Sequence, residues 1–192
     1  MRSLGRRWFV CLAGGAVLGC SAQPPPALVF SEQDGRSVLE PVQFGWLSSE
    51  HETGGLPSAI ALGAKTSGRV LVYLEFPELE PSRRLLRAEL LLSPSGAAFG
   101  RVPIELSRTE APSGKLRRWS DQPRALYPRI AAHVSARSWP ERLDVTEILQ
   151  AQARRKEPPR LLVRAEPGEG EGVLIATGVS GGDAPRLEIY WQ

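Results

Sequence analysis

The run RVLVYLEF at residues 69–76 alternates with a period of two, which puts Val70, Val72, Leu74 and Phe76 on one side of an extended chain. A helix cannot hold that set on one face, because its side chains repeat every 3.6 residues. Other short runs share this character: SAIAL (58–62), RLLRAELLL (84–92), RVPIEL (101–106), RLLVRAE (160–166), GVLIAT (172–177) and RLEIYW (186–191). Residues 84–92 are the most continuously apolar, as expected of a strand covered along most of its length. Residues 28–42 hold one or two further strands. Proline and glycine clusters at 77–81, 94–100, 167–172 and 178–185 break the runs into separate strands. Pro103 lacks the amide a ladder needs, which predicts an edge position for its strand.

One segment reads as helix. Asp144-Val145-Thr146-Glu147 has the form of a capping box with Asp144 as the cap. Val145, Ile148, Leu149 and Gln152 or Ala153 then fall on one face, and Pro158 and Pro159 stop the helix after the basic run Arg154, Arg155 and Lys156. Many short strands with one short helix near residues 145–155 predict an all-β sandwich.

The first 20 residues carry a different signal. Arg2, Arg6 and Arg7 precede an apolar stretch at 8–18, and Val17-Leu18-Gly19-Cys20 closes it. This resembles the lipobox of bacterial lipoproteins. The resemblance implies cleavage before Cys20, lipidation of its thiol and acylation of its new amine. An ordinary signal peptide ending in Cys is the alternative. The stretch is shorter than the roughly 20 apolar residues that span a bilayer. Residues 1–19 are therefore read as a signal peptide and residues 20–27, which include SAQPPP at 21–26, as a lipidated tether. Residues 28–192 form a single β-sandwich domain. Ser21 after the lipidated residue implies the outer membrane of a Gram-negative envelope.

Processing removes the basic excess. The chain has 24 Lys+Arg and 21 Asp+Glu, and residues 1–19 contain three arginines and no acid. The mature chain is near neutral, so its charge gives no ground for nucleic-acid binding. Both cysteines, Cys11 and Cys20, are accounted for by the leader and the lipid. No disulfide, thiolate or zinc site remains to be drawn from them.

The order of motifs GGLPSAIALGAK, RVLVYLEF, LLRAELLLS, WSDQP, LDVTEIL and PRLEIYW resembles the DNRLRE-type, or disaggregatase-related, domain across residues 56–191. That resemblance implies a jelly-roll-like β-sandwich in a secreted or envelope protein, similar to carbohydrate-binding modules. The Asn-rich lead-in and the first Trp of the usual pair are absent.

Few residues suit catalysis. His51, between Glu50 and Glu52, reads as part of a solvated loop, and His133 as partly buried. Glu166, Glu169 and Glu171 could offer oxygens to calcium. Without an Asp/Asn ladder they read better as a soluble hairpin connection, so no metal and no cofactor is assigned. Residues 82–142 carry 12 basic and 5 acidic side chains. Within them Lys115, Arg117, Arg118, Arg124 and Arg129 surround Trp119 and Tyr127. Guanidinium forks suit carboxylate, sulfate or phosphate, and aromatic faces suit sugar rings. These seven residues are the candidate ligand site. The expected function is a lipid-anchored, non-catalytic envelope protein that binds a glycan or another acidic envelope polymer. The alternative is a structural or assembly lipoprotein that meets a protein partner through an exposed Phe44 and Trp46.

Overall fold

The computed structural model describes residues 35–96, 101–135, 141–170, 172–179 and 183–192. Cys20, the leader at 1–19 and the tether at 20–27 lie outside the described residues. Two antiparallel sheets make up the sandwich. The first has four strands in the order β1 (Arg36–Leu39), β11 (Arg186–Trp191), β5 (Leu85–Leu92) and β8 (Glu141–Asp144). The second has five: β2 (Gln43–Ser48), β4 (Val70–Glu75), β9 (Arg160–Ala165), β6 (Arg101–Thr109) and β7 (Ala125–Ser135). A two-stranded ribbon, β3 (Ala59–Leu62) with β10 (Val173–Ala176), extends from β5 through a bridge between Pro94 and Ile175.

The alternation read in residues 69–76 decides which side chains meet between the sheets. Val70, Val72, Leu74 and Phe76 are fully buried and join Leu90, Leu92, Ile104, Leu106, Val163, Leu187 and Ile189 in one core. The opposite face of β4 is also buried. Leu71 and Tyr73 form a second cluster with Leu47 and Leu162 outside the five-stranded sheet. Its cover is the β6–β7 connection, residues 110–124, whose Leu116 and Trp119 pack down onto it. This loop positions the candidate site.

Helix α1 (Thr146–Arg154) buries Ile148, Leu149 and Gln152. The expected cap is corrected by one residue: Val145 occupies the cap position and makes no side-chain capping bond. Asp144 Oδ1 instead accepts from the Thr146 amide at 2.9 Å, an Asx-type turn just before the helix. Pairing with β5 causes the shift. The Val145 amide donates to the Ala88 carbonyl at 3.0 Å, and the Thr146 hydroxyl accepts from the Ala88 amide at 2.9 Å. The Asp-Val-Thr sequence thus hands the chain from β8 to the helix, with Val145 buried in the core.

Pro103 also needs correcting. Its strand β6 is interior, flanked by β9 and β7. The β6–β9 ladder begins at Ile104, so Pro103 sits just past its end, where no amide is required on that side.

Candidate functional site

The outer face of the four-stranded sheet is an ionic ladder. Glu89 on β5 and Glu188 on β11 are directly opposite in register and almost fully buried. Like charges in that position repel. Arg142 from β8 resolves the conflict by donating from Nη1 to Glu89 Oε2 at 2.9 Å and to Glu188 Oε2 at 2.8 Å. Arg87 pairs with the second oxygen of Glu89, and Arg36 with that of Glu188. Burial alone would raise the Glu188 pKa. The hydrogen bonds from Arg142 and Arg36 outweigh it and hold the carboxyl below its ordinary value of 4.5. Every charge in this ladder has a partner, so it serves cohesion.

The five-stranded sheet differs. The 110–124 loop is pinned at three places. At its base the Thr109 hydroxyl donates to the Arg124 carbonyl at 2.9 Å. At its turn, Asp121 Oδ2 accepts the amides of Arg118 at 2.9 Å and Arg117 at 3.1 Å. These two bonds lower the Asp121 pKa, with Arg118 the larger cause. At its far side Thr53 donates its amide to the Arg117 carbonyl at 2.9 Å. Gly45 on β2 completes the seat, since a Cβ there would stand 2.7 Å from Leu116 Cδ1. The WSDQ sequence therefore drives Trp119 inward and leaves its basic neighbours outside.

Two open grooves flank the pinned loop. The first, about 440 Å³, is lined by Arg69, Arg124, Arg129 and Arg164, with Glu166 as its one acid and Trp119 and Gln122 from the loop. Arg69 pairs with Glu166 at 3.1 Å, and Arg164 donates to Gln122 Oε1 at 3.3 Å. Arg129 stands 3.7 Å from Glu105, and the Arg124 guanidinium has no partner among the described residues. Charge in this groove is thus only partly neutralised. The second groove, about 310 Å³, lies at the β2 edge and includes Phe44, Trp46, Gly55, Lys115 and Arg117. No acid lines it.

The seven sequence candidates therefore divide. Trp119, Arg124 and Arg129 line the first groove, and Lys115 and Arg117 the second. Arg118 pairs with Glu52 at 2.9 Å with both side chains exposed, where such a pair contributes little. Tyr127 is 78% exposed, and the Arg129 guanidinium stacks on its ring at 5.2 Å. A bulge projects it: the β6–β7 register jumps between Ser107 and Arg108, and Arg108 Nε donates to the Tyr127 carbonyl at 3.1 Å.

Sequence reasoning missed Arg69 and Arg164. They come from the residue just before β4 and from β9, far from the basic segment. Arg164 carried one usable signal, since it interrupts an apolar strand on the face shared by Arg160 and Leu162. His51 is exposed, and so is His133, which was expected to be partly buried; it pairs across the ladder with Pro103 at the edge strand. Glu166 is engaged by Arg69, and Glu171 lies outside the described residues. Among the described residues no three His, Cys, Asp or Glu side chains gather as a metal site, and no helix is long and apolar enough to cross a membrane. Phe44 and Trp46 are partly buried against the core, and Trp46 Nε1 donates to the Gly55 carbonyl at 2.9 Å.

No protein-family model matches the chain, and no curated protein matches it.

Proposed function

We propose that this chain is a non-catalytic lipoprotein of the bacterial cell envelope, anchored through Cys20, whose DNRLRE-type sandwich binds an acidic polysaccharide. One observation carries the reading: four arginines line the first groove, only Arg69 and Arg129 meet a glutamate, and the Arg124 guanidinium is left without an acid partner among the described residues. Guanidinium forks match carboxylate geometry, and a half-neutralised groove draws anions from solution. Phe44 and Trp46 are partly buried against the core, which favours this reading over a protein partner docked on a fully exposed aromatic pair.

The test uses the full chain, purified in detergent. It should bind polygalacturonate at low ionic strength and release it as salt rises, because exposed charges are screened within about 8 Å near 0.15 M. A neutral dextran should not bind. Equal retention of dextran and polygalacturonate would sink the reading. Anchoring has its own arm: Cys20→Ala should leave uncleaved precursor without fatty acid, and a lipid-free wild-type mature chain would contradict it.

A further inference from the structure

We infer that the groove at the β2 edge is a second subsite for the same acidic polymer, so that one glycan strand crosses the 110–124 loop and engages both flanks. This rests on the polysaccharide reading above.

Both grooves are built from the same loop. Lys115, Leu116 and Arg117 form part of one wall, and Trp119, Gln122, Pro123 and Arg124 part of the other. The loop is pinned by Thr53, Thr109 and Asp121, so the spacing between its flanks is set by the fold. Strand order places the second groove at β2, and the first over β9 and β7. At about 4.8 Å per strand, their centres lie on the order of 15 Å apart.

Charge decides what the second groove can hold. Eleven residues line it, Lys115 and Arg117 are its two cations, and none of the eleven is an acid. Neither cationic head has a protein partner among the described residues. In the ionic ladder on the other sheet every arginine meets a carboxylate, whereas these two cations line an open groove with no acid in its wall. The partly buried rings of Phe44 and Trp46 supply apolar area beside those cations, and the Gly54-Gly55 stretch adds no side-chain bulk. A charged pair beside an aromatic edge fits an anionic sugar unit, whose ring has an apolar face and whose carboxylate faces the guanidinium. A neutral peptide would leave both cations without a counter-charge.

Two linked subsites add avidity only to ligands long enough to reach both. The experiment compares long polygalacturonate with monomeric galacturonate, using full-length wild type, Lys115→Ser/Arg117→Ser and Arg124→Ser/Arg129→Ser. Wild type should bind the polymer much more tightly, per binding site, than the monomer. The first double variant should lose roughly 10²-fold in polymer affinity, by loss of the linked subsite. Its melting temperature should stay unchanged, and monomer binding at the first groove should persist. If Lys115→Ser/Arg117→Ser binds polymer as wild type does while Arg124→Ser/Arg129→Ser does not, the second subsite is refuted and the polysaccharide reading stands. If wild type binds neither probe, both fall.

Discussion

The outer faces of the two sheets use arginine in opposite ways. On the four-stranded sheet Arg36, Arg87 and Arg142 close on two buried glutamates, and each of these charges has a partner. On the five-stranded sheet a loop covers the apolar centre, and of the four arginines in the first groove Arg69 and Arg129 meet a carboxylate while Arg124 and Arg164 meet none among the described residues. An arginine's role is thus set by the carboxylates that its own strand and neighbouring strands bring within reach of its guanidinium. Where a strand partner offers an acid, the guanidinium is consumed by the fold. Where the loop offers only carbonyls and an amide side chain, it stays available.

Removing Arg142 tests the first half of that contrast and should have the largest effect. Arg142→Ala leaves Glu89 and Glu188 opposed with one arginine each. Breaking a fully buried pair costs about 3–5 kcal/mol, and the 44% exposure of the Arg142 side chain lowers the expectation to about 2 kcal/mol, readable by urea unfolding. The pH dependence follows from the depressed Glu188 pKa. Its stability contribution is fully present above the unfolded value near 4.5 and is lost as pH falls through the lower folded value. Arg142→Ala should therefore lower stability at neutral pH and flatten the acid limb below pH 4.5. An unchanged acid limb would show that the ladder does not govern it.

A smaller change probes the second half. Gly45→Ala places a methyl against Leu116, the end of a flexible side chain that can shift. The overpacking should cost about 1 kcal/mol, the low end for an inserted methylene. Amide exchange should rise in residues 110–124 and stay unchanged in β5 and β11. Polygalacturonate affinity should fall although no basic residue is altered. A uniform rise in exchange across both sheets would mean that the loop is not a separate unit on the sheet.

Much of the fold was legible because burial between the sheets writes a period of two into β4, β5, β9, β10 and β11. The strands that escaped are those where that imprint is weak. In β7, ALYPRIAAHVS, most residues are half-exposed or exposed, and its alternation is carried by alanines and a bulge at Tyr127. The sequence QFGWLS of β2 was read as a contact segment, because its outward Gly45 only makes sense once Leu116 is seated on it. The site was half legible. A basic, aromatic stretch marked the loop, and proximity along the chain grouped Lys115 to Arg129 as one patch. Folding the loop over Leu71, Tyr73 and Leu162 splits that patch into two flanks and brings Arg69 and Arg164 to one of them. Trp119 was read as part of the ligand site, and it serves the core on one side while lining the groove on the other.

The most direct test of the contrast compares one arginine from each face in a single binding assay. Arg124→Ser and Arg87→Ser remove the same charge from the full chain. Arg124→Ser should weaken polygalacturonate binding severalfold at low ionic strength and change stability by less than about 0.5 kcal/mol, as for an exposed guanidinium without a partner among the described residues. Arg87→Ser should lower the unfolding midpoint and leave the affinity unchanged. Equal loss of affinity in both variants would mean that only net charge matters, and would contradict the assignment of binding to the loop-covered face.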